Sequence, residues 1–327
     1  MTPATGSFTR DLNTDFTELV GCTIPIQLAG MGPVCSDELC AAVSKAGALG
    51  MITVAMTSPA QLEDRLNSIR SVTTKPFGTN FLIPLVDRDC VRVASRLARV
   101  VDFFWGNPDA DLVKLAHAGG AIVSWQIGSA DEARAAEQAG CDFIIAQGIE
   151  AGGHIRGALG LLPLLNQVLG SVTIPVLAAG GIGSARTMAA VLAAGAAGAR
   201  CGTRFVAAQE SGAHPTYVEA LIKASAEDSV RTTLYHVDCP LCPSTHGVLR
   251  SAIQAAQAMD GNVAGEMRFG DQTFQVKKFQ GVPPPVKSMS GHVEAMCCYA
   301  GQSVGDVRGV QPAAQIVREL TAIGPLS

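Results

Sequence analysis

Residues 146–157 read Ala-Gln-Gly-Ile-Glu-Ala-Gly-Gly-His-Ile-Arg-Gly, so one imidazole, His154, stands among Gly148, Gly152, Gly153 and Gly157. The stretch follows an apolar run, Asp142-Phe143-Ile144-Ile145-Ala146, expected to be a buried strand. Glycines let the backbone turn sharply and approach a ligand closely. A histidine held at a strand end by such a mobile loop can exchange a proton or bind an anion near neutral pH. A glycine-rich turn with an incidental surface histidine is the plain alternative, and this segment alone leaves it open.

Two later segments have the composition of anion sites. Ala178-Ala179-Gly180-Gly181-Ile182-Gly183-Ser184 and Cys201-Gly202-Thr203-Arg204-Phe205 each follow an apolar run. Their backbone N–H groups, with a helix starting at Ser184, suit a phosphate, and the Thr203 hydroxyl can add a hydrogen bond. Asn80, Gln126 and Gln147 close three other apolar runs. Amides both donate and accept, which suits the pyrimidine edge of a flavin and equally suits loop backbone. Met31 can pack on a flat ring or fill a gap.

The ten cysteines do not read as a disulfide framework. Cys141 and Cys201 lie in or beside apolar runs, where a reduced thiol behaves as a small hydrophobe. Cys239-Pro-Leu-Cys242, with His236 and His246, offers the residues of a zinc knuckle. No second Cys-x-x-Cys follows and the prolines are poorly placed, so no metal is expected. Cys297 and Cys298 are expected on a helix.

These residues need a scaffold, and the chain supplies a repeat. Short apolar runs occur at Ile24–Leu28, Gly50–Thr53, Phe77–Phe81, Val101–Trp105, Ala121–Gln126, Phe143–Gln147, Val176–Ala179 and Ala199–Cys201. Each precedes a helical pattern: Ser36–Ala46, Ser58–Ser71, Asp87–Arg99, Asp109–Ala118, Ser129–Ala139, Leu159–Leu169, Ser184–Ala194 and His214–Ala224. Ser58 to Gln61 and Ser129 to Glu132 read as capping boxes. Gly47, Gly119, Gly140, Gly170 and Gly195 stand where helices end in a left-handed residue.

Alternation of this kind predicts a parallel sheet with helices outside, and eight units predict a closed (β/α)8 barrel. A doubly wound sheet would carry its glycine fingerprint after the first strand. There Gly30-x-Gly32 lacks the third glycine. Barrel enzymes bind phosphate at the loops after strands seven and eight, where the two glycine segments fall. Residues 1–224 are expected to be the barrel, 225–287 a lid or small helical subdomain, and 288–327 a segment returning to the barrel. Helices are expected at Val248–Met259, Asn262–Phe269 and Ala313–Ala322, the last able to close the barrel.

Composition sets the limits. The 327 residues are 48% hydrophobic and 16% charged, with net charge −4, which argues against a nucleic-acid or membrane-surface partner. Met1–Thr14 has no apolar signal core, and no run reaches membrane-spanning length. A cytoplasmic enzyme with a small-molecule substrate is expected, and a homodimer is left open.

The order Gln27-Leu-Ala-Gly-Met-Gly32, Lys75-Pro-Phe-Gly-Thr-Asn80, Gln147-Gly-Ile-Glu-Ala-Gly-Gly-His154, Ala179-Gly-Gly-Ile182, Gly202-Thr-Arg-Phe205 and Tyr299-Ala-Gly-Gln-Ser-Val-Gly305 resembles the nitronate monooxygenase family. The likeness runs from about Phe16 to Gly309. It implies a barrel holding FMN, with the phosphate at Gly180-Gly181 and Gly202-Thr203. The ring would lie among Ala29, Gly30, Met31, Asn80, Gln126, Ala151 and Gly152, with Gln147 and Ala179 also in the cofactor site. It implies that His154 is catalytic and that alkyl nitronates are oxidised with O2. NAD(P)H-dependent quinone and enoyl-thioester reductases share the framework and are the alternative. Gln126 stands where many relatives have Lys, so a cation beside the ring is expected to be missing. Arg156 follows Ile155, where many relatives have Arg-Gly directly after the histidine, and is expected to point differently. Cys239 to Cys242 matches no motif of the family.

Overall fold

The computed structural model describes residues 12–322; Met1–Thr14, read above for a signal core, falls almost wholly outside them. All eight strands form, at Ile26–Leu28, Gly50–Val54, Phe77–Leu82, Val100–Phe104, Ile122–Ile127, Phe143–Gln147, Val176–Ala179 and Gly198–Cys201. Each pairs in parallel with its neighbour, and the eighth returns beside the first. The ring closes where Gln27 pairs with Leu49 and the Leu28 N–H donates to the Leu49 carbonyl at 2.9 Å. These strands carry continuous apolar runs because helices cover their outer faces while side chains fill the interior. Among the described residues, no helix is long and apolar enough to cross a membrane.

Local signals hold in most places. The Ser58 box forms with Gln61, and Pro59 opens the helix Pro59–Val72. At the helix Ala130–Gln138, Ser129 accepts from the Glu132 N–H, but the reciprocal half is absent. The Glu132 carboxylate instead accepts from Gly128 N–H and Arg156 Nε. Gly47, Gly140 and Gly195 are left-handed; Gly119 and Gly170 are not, since φ is −88° and −81° there.

Three expectations fail for clear reasons. The helix Pro215–Lys223 does not complete the ring, because its buried Tyr217 and Leu221 belong to a second apolar cluster outside the barrel. The missing ring helix is Ala313–Thr321, which packs between the helices Asp37–Lys45 and Ala185–Ala193 and buries Ile316, Val317 and Leu320 in the barrel cluster. Val263–Phe269 is a strand rather than a helix, joined to Gln272–Lys277 through Gly270 at φ +59°. Cys297 and Cys298 are buried, but outside any helix.

The segment after the barrel therefore mixes strands with the helix Arg250–Ala258. One small sheet orders Ser229–Thr232, Thr245–Leu249 and Gly153–Ile155, all antiparallel. Its last member comes from the loop after barrel strand six. The cap is thus stitched onto the histidine loop through backbone hydrogen bonds.

Candidate active site

His154 does not sit on a free loop. Gly153, at φ +72°, turns the chain, and residues 153–155 then run extended beside Thr245–Leu249. His154 faces His246 directly across the pair, and the two rings lie 4.4 Å apart, edge to face. Gln147 fastens the loop: its Nε2 donates to the His154 carbonyl at 2.9 Å, and its Oε1 accepts from Arg156 N–H. The amide thus makes loop-backbone contacts, one of the two uses open to it in the sequence. Arg156 binds Glu132 at 2.6 Å and lies over the Trp105 ring. Its role is to hold the loop down.

His154 is 8% exposed. Trp105 and Tyr299 meet its ring edge to face at 5.7 and 5.6 Å. Burial first, and then the neighbouring His246, push its pKa down to about 3, so the ring is neutral at neutral pH. Trp105 adopts φ +66°, a costly conformation for a bulky residue and one that clusters at functional sites. Sequence reading treated Trp105 only as a strand end.

His154 Nε2 lies 3.3 Å from Cys239 Sγ, and His246 Nε2 lies 3.7 Å from Cys242 Sγ. Cys239 and Cys242 are joined as a disulfide, with Cα atoms 5.5 Å apart, whereas the other eight cysteines are free and buried. The expectation that all thiols stay reduced is corrected here, because a tight turn brings these two sulfurs together. His236, expected beside them, is exposed and contacts the Thr233 carbonyl instead.

Inside the barrel lies a polar network with two charged residues that sequence reading missed. Arg200 donates from Nε to Gln27 Oε1 at 3.0 Å and from NH1 to Gln126 Oε1 at 2.5 Å. Its NH2 is 2.7 Å from Asp102 Oδ2 but out of line for a hydrogen bond. Asp102 also accepts from Asn80 Nδ2 at 2.7 Å and Ser124 Oγ at 2.8 Å. Gln126 thus has a cation beside it, supplied by strand eight. Their signal was present, since a charge inside Val100–Phe104 or Gly198–Cys201 contradicts an otherwise buried run.

The glycine loops form a close-fitting rim. Gly180 and Gly181 have φ of +111° and +69°. A Cβ on Gly180 would sit 3.0 Å from the Ala151 nitrogen, and one on Gly181 would sit 3.2 Å from Glu150 Cβ. A Cβ on Gly202 would lie 3.2 Å from Ala29 Cβ and 3.4 Å from Met31 Sδ. Gly30 is pressed under the Asn80 side chain. The Thr203 hydroxyl accepts from Gly301 N–H at 3.0 Å, and Ser184 caps its own helix through Thr187. Ala151-Gly152, Gly247 and Ala300-Gly301 meet backbone to backbone, too closely for any side chain. The structure thus brings Ala29, Gly30, Met31, Ala151, Gly152, Ala179, Gly180, Gly181, Gly202 and Thr203 to one continuous mouth, with Asn80 and Gln126 beneath it. A cavity of about 260 Å3 is lined by Ile149, Glu150, Ser229, Arg231 and Gln302.

The nitronate monooxygenase family model matches residues 13–90 and 85–322. The chain is 34% identical over 280 residues to a (3aS,4S,5R,7aS)-5-hydroxy-7a-methyl-1-oxo-octahydro-1H-indene-4-carboxyl-CoA dehydrogenase of Rhodococcus jostii (strain RHA1), covering 83% of this chain and 75% of the relative. FabK from Thermotoga maritima superimposes with a TM-score of 0.78 at 34% identity, covering 95% of this chain and 96% of that one. Nitroalkane oxidase from Streptomyces ansochromogenes superimposes with a TM-score of 0.73 at 27% identity, covering 94% and 97%. With a barrel whose mouth is built from these loops and a family match across nearly its whole described length, this chain is an oxidoreductase of the nitronate monooxygenase family.

Proposed function

We propose that this protein is an FMN-dependent enzyme that oxidises alkyl nitronates with O2. The observation that carries the proposal is the single rim that links the glycines after strands six, seven and eight to the strand bearing His154. A Cβ at Gly180, Gly181 or Gly202 would press on Ala151, Glu150 or Ala29, so these loops meet without side chains between them and present backbone, the form that suits a phosphate and a flat ring. Gly180, Gly181, Gly202 and Thr203 would hold the phosphate. Ala29, Gly30, Met31, Ala151 and Gly152 would line the ring, with Asn80 and Gln126 below. Bound FMN would supply the electron transfer and the reaction with O2.

The protein's own part is to bind and orient. Trp105 and Tyr299 form an apolar wall around His154, which suits the alkyl part of a nitronate. His154 Nε2 faces the Cys239 sulfur, which leaves Nδ1 to meet the substrate: it donates to the nitronate anion in one tautomer and accepts the α-proton of the nitro form in the other. Arg200, fixed by Gln27, Gln126 and Asp102, would offer bound FMN a buried positive charge inside the barrel, which would stabilise negative charge on the reduced ring.

The second reading is redox chemistry on an acyl-CoA thioester, favoured by the 34% identity to a CoA-thioester dehydrogenase. One experiment separates them. The released cofactor is identified by mass spectrometry, and anaerobic flavin bleaching is followed with a nitronate and with NADH or NADPH. Bleaching by the nitronate followed by O2 uptake supports the first reading. Bleaching by NAD(P)H with reoxidation by an enoyl thioester supports the second, and a protein that binds no flavin overturns both.

A further inference from the structure

We infer that Cys239, Cys242, His154 and His246 form a binding site for a zinc ion when the two cysteines are reduced. The ligand atoms of the four side chains all lie within 4.8 Å of one another, and all four residues are at least half-buried. Two thiolates and two imidazoles are the donor set of a closed structural zinc site. Zinc holds sulfur at about 2.3 Å and nitrogen at about 2.0–2.1 Å, so a tetrahedral site has S···N edges of about 3.6 Å. The observed S···N contacts of 3.3 and 3.7 Å bracket that edge.

The backbone builds the quartet. Cys239 and Cys242 come from one turn, closed by the Cys242 N–H donating to the Cys239 carbonyl at 3.3 Å. His154 and His246 are register partners on two antiparallel strands, so their side chains leave the same face. His246 Nδ1 lies 3.4 Å from the Thr232 carbonyl. That contact keeps the ring proton on Nδ1 and turns the Nε2 lone pair toward the sulfurs, the usual support of a metal-bound histidine.

The disulfide is the other fate of the same sulfurs, and it accounts for only two of the four residues. A neutral disulfide is a poor hydrogen-bond acceptor and does not require two imidazole nitrogens aimed at it. A zinc ion accounts for all four. It replaces the proton of each thiol and forms no S–S bond, so no electron is exchanged once the thiols are reduced. The assignment stands on these side chains and not on the nitronate reading. Its one consequence for that reading is that zinc at Nε2 locks the His154 proton on Nδ1.

The test uses the whole protein, purified with a non-thiol reductant and no chelator. Metal is measured by plasma mass spectrometry, and thiols are counted after denaturation. The expected result is about one zinc per chain and all ten cysteines reactive. Cys242→Ser and His246→Gln should each lower zinc at least tenfold, while His236→Ala keeps it. Co2+ exchanged into the protein should show the visible bands of a tetrahedral site and a thiolate charge-transfer band. That band should vanish in His246→Gln, judged in protein whose circular dichroism is unchanged. Ten reactive thiols and no zinc after reduction and incubation with Zn2+ overturn the proposal. Zinc retained at full level in His246→Gln overturns it as well. Flavin content and nitronate turnover are read separately, so a failed metal site and a failed substrate reading give different results.

Discussion

Arg200 and Gln126 meet inside the barrel, the guanidinium of strand eight donating to the amide of strand five at 2.5 Å. Strand eight thereby sets a positive charge beside Gln126. Arg200→Met should remove that charge and leave Asp102 buried without its ionic partner. Stability should fall by about 3–5 kcal/mol, read from the urea midpoint. Adding Asp102→Asn should recover part of the loss. A single variant as stable as the parent would mean that the ion pair contributes nothing.

Gly181→Asp and Gly202→Asp should both abolish flavin retention. The first introduces a carboxylate beside Glu150 at a left-handed residue, and the second places one against Ala29 and Met31. Gly181→Ala isolates the backbone strain, at roughly 1 kcal/mol, and should keep some flavin. Absorbance of the purified variants decides this. Full occupancy in either aspartate variant would move the phosphate elsewhere.

His154→Ala should leave flavin content near normal while nitronate turnover drops about 100- to 1,000-fold, the usual effect of losing one oriented donor to developing charge. An equal fold-loss for a preformed nitronate and for an equilibrated nitroalkane, compared at the same anion concentration, would show that the ring only binds the anion. A larger loss on the neutral form alone would show that the ring removes a proton.

Gly247→Ala should uncouple the cap from the loop it holds. Its Cβ would lie 2.2 Å from the Ala151 carbonyl oxygen and 3.0 Å from that of Ala300, so the backbone must separate. Limited proteolysis between residues 229 and 249 should become faster than in the parent. An unchanged digestion pattern would mean that the seam tolerates a side chain.

The barrel was legible because each unit opens on an apolar run, and most add a capping serine or aspartate or a glycine at the helix end. The glycine rim was legible because its residues lie within short segments. What escaped depends on long-range pairing. Nothing near Gly153 tells that it starts a strand, because its partner, Gly247, lies far along the chain. The quartet around Cys239 was read with His236, its neighbour in sequence, and needed the register of that same pairing to bring in His154. Arg200 and Asp102 were legible as charges in apolar strands and were passed over. Two segments were read as candidates for the last ring helix, because Pro215–Lys223 and Ala313–Thr321 are both amphipathic, and only their packing tells that the second covers the barrel.

That last helix bears on how the protein is made. Strand eight ends at Cys201, but the helix that seals the groove beside strand one begins at Ala313. A ribosome adds about 5–20 residues per second, so the groove between the helices Asp37–Lys45 and Ala185–Ala193 waits several seconds uncovered while the cap is synthesised. Chains stopped before residue 313 should therefore expose that apolar groove and recruit chaperones, and restoring Ala313–Thr321 should release them. Birth order thus places completion of the rim before closure of the barrel's outer wall.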